Sequence, residues 1–228
     1  MGELSKAFLK AIELIVFFDR EVVEITLRSL RISATSTALA SLFCIPLGGI
    51  IHFHSFPGRR FLINLIQTFY SLPTVCVGLF VFVMLSRAGP FGKLGLLFTP
   101  AAMIIGQMIL ITPILLGLTI SALNQVDVKI RETALSLGAT PFQAILVIIR
   151  EAKFSVVAAI IMGFGRAISE VGSAMMLGGN IRGFTRVLTT AISLETQKGD
   201  VELGLALGII LISVALVINI TVNRIQQR

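Results

Sequence analysis

The stretch from Asn124 to Lys153, NQVDVKIRETALSLGATPFQAILVIIREAK, is the least apolar part of a chain otherwise made of long hydrophobic runs. It carries Asp127, Lys129, Arg131, Glu132, Arg150 and Glu151. Its pattern predicts a short amphipathic helix over Val128–Leu137, a left-handed turn at Gly138, and a second helix over Pro141–Ile149 with Pro141 in its first turn. Such a polar helix–turn–helix between two apolar runs divides the chain into membrane crossings with a structured loop outside the bilayer.

Apolar runs extend outward from it on both sides: Ile32–Ile51, Phe61–Ser86, Leu94–Val126, Phe154–Leu177 and Leu203–Asn223. The third is too long for one crossing, since its 33 residues would reach about 50 Å as a helix against a hydrocarbon core of about 30 Å. Pro100 divides it into an interfacial piece, Leu94–Thr99, and a crossing helix, Ala101–Leu123, in which Pro113 predicts a kink. Pro46 and Pro73 predict bends in the first two spans. Before the first span, Leu4, Phe8, Ile12 and Ile15 recur at three- and four-residue steps while Lys6, Lys10 and Glu13 face away, the pattern of a helix lying in the membrane interface. The expectation is an all-α polytopic membrane protein: an N-terminal amphipathic segment (1–24), then one domain (25–222) with five transmembrane helices. Glu13 and the following Asp19-Arg20-Glu21 do not suit a signal peptide, so the N-terminus is expected to be retained.

Composition excludes the soluble classes. Of 228 residues, 55% are hydrophobic and 14% charged, against about 25% charged in an average soluble domain, and the mean hydropathy is +0.95. The net charge of +7 is scattered between apolar segments without a basic run, which argues against nucleic acid and for attraction to anionic membrane lipid. Cys44 and Cys76 sit singly in apolar runs, and His52 and His54 have no ligand-type neighbour at metal spacing, so no metal site is expected. There is no G-x-x-x-x-G-K-[ST] loop and no accessible Ser/His/Asp arrangement. The chain is therefore expected to have no catalytic residues and no cofactor of its own. Charge does not settle orientation: the loops 52–60 and 124–153 with the C-terminal tail hold eight Lys/Arg, and the opposite side holds ten.

Glu132-Thr133-Ala134-x-x-x-Gly138, followed ten residues later by Ile148, resembles the coupling signature of ABC importer permeases, Glu-Ala-Ala, three residues, Gly, nine residues, Ile-x-Leu-Pro. Thr133 replaces the first Ala, and Arg150-Glu151 stand where Leu-Pro is usual. The likeness extends through Leu72-Pro73-Thr74-Val75 with Gly78, Ser86-Arg87-x-Gly89-Pro90, Phe98-Thr99-Pro100-Ala101, Gly165-Arg166-Ala167-Ile168-Ser169-Glu170-Val171-Gly172, and Gly178-Gly179-Asn180-Ile181 with Thr185-Arg186-Val187-Leu188. These look like the tungstate branch of the molybdate and tungstate permeases, which also carries Arg-Glu in place of Leu-Pro. The resemblance implies a multi-pass protein of a prokaryotic cell membrane, with loop 124–153 and the C-terminus cytoplasmic and 87–100 and 179–200 outside. It implies a homodimer forming the pathway, two separate ATPase subunits that bind the ATP and dock on Glu132, Ala134, Gly138 and Ile148, and an extracytoplasmic tungstate-binding protein. Molybdate or another oxyanion is the alternative cargo. A stand-alone secondary transporter is the rival mechanism, and the absence of internal repeats argues against it.

Arg166 and Glu170 are the charges inside a span, where each costs about 2.5–3.5 kcal/mol at a helix centre on the insertion scale. Four residues apart on one helix, they can form a structural ion pair, or Arg166 can offer a positive site to an anion in transit while Glu170 keeps the resting site near neutral. Gly165, Ser169 and Ser173 share a face of that expected helix, as Gly204 and Gly208 do on the fifth, and such small faces suit either intrachain or intersubunit packing. Gly178-Gly179-Asn180 fits a turn or, at an outer gate or loop, an anion-binding nest of backbone amides.

Overall fold

The computed structural model describes residues 2–226, and the side chains of 2–4, 6, 128 and 226 lie outside what is described. The described residues form helices joined by loops, with no strand among them, because nearly every apolar run exceeds one helical turn and must satisfy its own backbone polar groups away from water. Helix α1 (Gly2–Val16) is followed by a reversal at Phe17-Phe18 and by α2 (Arg20–Phe53), whose N-terminus is capped by the Asp19 carboxylate, accepting from the amides of Glu21 and Val22 at 2.9 and 3.1 Å. Two short helices, α3 (Arg59–Thr68) and α4 (Thr74–Leu85), meet at 97° across Leu72-Pro73. The long α5 (Pro100–Asn124) starts at Thr99, whose hydroxyl accepts from the Ala102 amide, with Pro100 at the first position. Beyond α5 lie α6 (Val128–Ser136), α7 (Pro141–Glu151), α8 (Lys153–Ile168), α9 (Gly172–Gly178), α10 (Leu188–Lys198) and α11 (Val201–Gln226).

Among the described residues three helices, α2, α5 and α11, are each long and apolar enough to cross a bilayer, and the number is five where each of the bent pairs α3/α4 and α8/α9 counts as one span. Helix α5 is the axis, packing against α2, α3, α4, α8 and α9. Its buried residues join two apolar clusters: Met103 and Leu110 with Val77, Val81 and Leu177, and Ile111, Leu115 and Ile120 with Ala40 and Cys44. Close approach is made possible by Gly78, where a Cβ would stand 2.9 Å from the Ser173 Cα, and by Gly163 against Leu115.

Several expectations need correction. The run Phe154–Leu177 is not one helix: it breaks by 63° between Ile168 and Gly172, so Gly165, Ser169 and Ser173 do not share a helix face, and Glu170 lies outside both helices. The run Phe61–Ser86 is likewise two helices, because Pro73 holds Leu72 extended (ψ 127°). The expected interfacial piece Leu94–Thr99 holds only the end of a 3₁₀ turn, Gly92–Leu94. The first crossing helix starts at Arg20 and not near Ile32. As expected of one crossing helix, α5 continues through Pro113, and the Thr112 hydroxyl beside it donates to the Met108 carbonyl at 2.7 Å. In α1, Ala7 and Ala11 are buried where the helix packs on α11, while Phe8 and Ile12 are exposed. Leu4 and Lys6 of the expected amphipathic pattern lie outside the described side chains.

Candidate functional site

The hairpin α6–α7 is closed by local chemistry alone. Asp127 caps α6 by accepting from the Lys129 amide at 2.9 Å. Gly138 takes φ +86°, its amide donating to the Leu135 carbonyl and the next amide, Ala139, reaching back to the Ala134 carbonyl, both at 3.0 Å. This paired bonding satisfies the carbonyls at the end of α6 and requires the left-handed residue that Gly138 supplies without strain. Thr140 and Gln143 then form a reciprocal capping box at the start of α7, with Pro141 as its first residue.

The four sequence-derived residues of the hairpin divide by environment. Ile148 is buried with Leu123, Ala152 and Val156, and so ties α7 to the ends of α5 and α8. Glu132 and Gly138 are exposed, and Ala134 is half-buried. At the tip, Leu137 is 82% exposed and Phe142 68% exposed. Neither was singled out from the sequence, although an apolar residue on each side of a glycine turn, in a polar loop, is the available signal. The hairpin thus offers an uncovered apolar tip, mounted on a base anchored among the membrane helices.

The second assembly is the α8/α9 break. Glu170 is 2% exposed, and one of its carboxylate oxygens accepts from Arg166 Nη1 at 2.9 Å. The other accepts from the Ser173 amide at 3.0 Å, satisfying a donor that the first turn of α9 leaves without a helical partner. The Glu170 carbonyl accepts from the Thr189 hydroxyl at 2.7 Å. On the facing side, Gln107 of α5 donates to the Ala167 carbonyl at 3.1 Å and accepts from the Ser36 hydroxyl of α2 at 2.8 Å. The break is therefore held by groups from α2, α5, α8 and α10. Gln107 and Ser36 were missed, and the sequence signal for Gln107 was its being the single side-chain amide in the run 101–123. Arg166, with its side chain 36% exposed, reaches the surface of the subunit.

Gly178 ends α9, and Gly179 and Asn180 follow with φ +67° and +51°. The Gly179 and Ile181 amides are engaged by the Met175 carbonyl and the Thr185 hydroxyl, and that hydroxyl also donates to the Gly178 carbonyl. These amides serve a turn and are not free for an anion. The small faces also pack within the chain at two points: a Cβ on Gly165 would meet Ile218 of α11, and one on Gly204 would meet Thr196 of α10.

Residues 44–228 match the family described as binding-protein-dependent transport system inner membrane component. The chain belongs to that permease family. Among its relatives, a protein of Peptoclostridium acidaminophilum called tungstate uptake system permease protein TupB is 40% identical over 227 residues, all of both chains. A protein of Campylobacter jejuni with the same description is 37% identical, over 96% of this chain and 92% of that one. A probable anion ABC transporter permease of Haloferax volcanii is 41% identical over 91% of each. The fold is that of a chain in an inward-facing MetNI methionine ABC transporter (TM-score 0.70, 17% identity, 90% of this chain and 94% of that one). A chain of a bacterial alginate ABC transporter, crystallised in complex with an alginate pentasaccharide-bound periplasmic protein, is as similar (TM-score 0.70, 19% identity, 100% of this chain and 88% of that one). The chain is thus the membrane permease subunit of an ABC importer, with the polytopic helical architecture that the sequence predicts.

Proposed function

We propose that two copies of this permease form the pathway of an ATP-driven tungstate importer, that two separate ATPase subunits dock on the α6–α7 hairpins, and that an extracytoplasmic binding protein delivers the anion. The observation that carries the cargo is the 40% identity, over the whole of both chains, to a relative described as a tungstate uptake permease. Energy coupling is physically required: a dianion entering a negative-inside cell works against about 2.3 kcal/mol per charge per 100 mV, or about 4.6 kcal/mol in total. A passive pore would release the ion rather than gather it.

In the proposed cycle, closure of the ATPases carries Glu132, Ala134 and Gly138 with the groove that the hairpin tip occupies, Leu137 and Phe142 supplying apolar contact. Ile148 transmits that displacement to α5 and α8, and the helices rock to open the site outward. Arg166, at the subunit surface next to the α8/α9 break, meets the anion in transit, and Glu170 balances its charge at rest. ATP hydrolysis belongs to the partner chains.

Reconstituted uptake tests this reading. Purified permease with its ATPase and binding protein, in proteoliposomes, should accumulate tungstate in an ATP-dependent way, with molybdate, sulfate and phosphate as competitors. Preference for molybdate moves the cargo within the oxyanions. Preference for sulfate or phosphate over tungstate, or ATP-independent uptake by this chain alone, overturns the reading.

A further inference from the structure

A cleft of about 490 Å³ opens between the start of α2 and the loop that joins α9 to α10, and its walls are almost all charged. Most of those charges are matched. Arg182 forms a two-pronged pair with Glu21, at 2.6 and 3.0 Å, which pushes its pKa further up. Arg20 pairs with Glu24 at 3.0 Å. Arg186, only 8% exposed, pairs with Glu195 at 3.3 Å and Glu21 at 3.5 Å, and Lys198 also reaches Glu195 at 3.1 Å. Asp19 spends its carboxylate on the first amides of α2.

Arg28 is left over. It is half-buried, lines the cleft, and donates Nη1 to the Arg186 carbonyl at 3.0 Å, with no ion-pair partner among the described residues. A guanidinium partly removed from water and satisfied by a single carbonyl keeps most of its five donors unused. Arg186 adds an independent sign of the same deficit: its buried Nε has no hydrogen-bond acceptor. Around the cleft the cations exceed the carboxylates by one, and the excess sits on a forked donor suited to planar, two-point contact with an oxyanion.

We propose that this cleft is an oxyanion site, in which Arg28 supplies the uncompensated charge and the Arg186–Glu195 pair holds the wall against which the ion sits. Its ligand is a tetrahedral anion of the tungstate, sulfate or phosphate type, present either as the free ion or as the phosphate of a lipid headgroup. In the orientation proposed above, on which its role in uptake rests, the cleft lies on the outer side, where it would concentrate the anion near the mouth of the pathway.

The test is binding, read separately from transport. The permease purified with its ATPase subunits is placed in phosphatidylcholine nanodiscs and titrated with tungstate, sulfate and phosphate by calorimetry at low salt. The wild type should bind tungstate saturably, Arg28→Gln at least tenfold more weakly, and Arg28→Lys, which keeps the charge and loses the fork, between the two. Arg87→Gln, at an exposed position outside the cleft, should differ from the wild type by less than threefold. Repeating the titration in nanodiscs of an uncharged, phosphate-free glycolipid separates the sources: a tenfold gain of tungstate affinity in the wild type assigns the cleft to a headgroup phosphate that competes in phosphatidylcholine, and no change assigns it to the free ion. Equal binding by wild type and Arg28→Gln overturns the site. So does the absence of saturable binding of all three anions in the phosphate-free glycolipid. An importer that prefers sulfate in uptake, yet loses anion binding in Arg28→Gln, would sink the cargo reading and leave the cleft standing.

Discussion

Glu170 places a carboxylate where a membrane helix is interrupted, and the two facts explain each other. A charge at that depth costs about 2.5–3.5 kcal/mol on the insertion scale unless donors surround it, and the free amide of Ser173 together with Arg166 provides them. Glu170→Gln keeps an acceptor for Ser173 and loses the ion pair, whereas Glu170→Ala loses both. The purified complexes should melt in the order wild type, Gln, Ala, with the last two separated by about 1 kcal/mol, the usual worth of a capping acceptor. Equal melting of Gln and Ala would show that the amide contact contributes nothing. The Arg166–Glu170 pair was legible in the sequence from its four-residue spacing. The break was not, because neither Ser169 nor Val171 disfavours a helix strongly, and the interruption is fixed by Gln107, Ser36 and Thr189, which are distant in the chain.

Among the elements, the hairpin α6–α7 was the most legible because each of its devices is local. Asp127, Gly138, Thr140, Pro141 and Gln143 specify a cap, a left-handed turn and a second cap within seventeen residues. The α3/α4 bend was half legible: Pro73 marks its place, but the 97° angle comes from packing of α4 on α9 and of α3 on α5. At Gly138 no atom would lie within 4 Å of an added Cβ, so the only barrier to substitution is the positive φ. Asparagine tolerates that conformation, while a branched residue adds about 1–2 kcal/mol of strain. Proline cannot adopt it and removes the amide that bonds to Leu135. Co-purification of the ATPase and ATP-dependent uptake should therefore be retained in Gly138→Asn, reduced in Gly138→Val and lost in Gly138→Pro. Normal uptake by Gly138→Pro would remove the hairpin from coupling.

The whole molecule leaves two matters to its surroundings, what covers its outer faces and which way it is inserted. Helix α11 exposes Ile212, Leu216, Val217 and Ile220, as lipid contact allows, but Arg166 on α8 also reaches the surface and cannot favourably face hydrocarbon. A second copy, or a pathway between two copies, gives that guanidinium a polar setting, which supports the dimer. Insertion was not legible because the Lys and Arg residues divide almost evenly between the two sides. It becomes measurable at two exposed positions on opposite ends of the bundle, Ser136 at the end of α6 and Gln197 in α10. In a Cys44→Ser, Cys76→Ser background, Gln197→Cys should react with a membrane-impermeant maleimide in intact cells, or in spheroplasts where an outer membrane is present. Ser136→Cys should react only in inverted vesicles, and there only until the ATPase is added back, since the docked subunit would cover the hairpin. Labelling of Ser136→Cys from outside would invert the topology and remove the hairpin from any contact with a cytoplasmic ATPase. The outer cleft around Arg28 would then face the cytoplasm, where it could not receive an incoming anion.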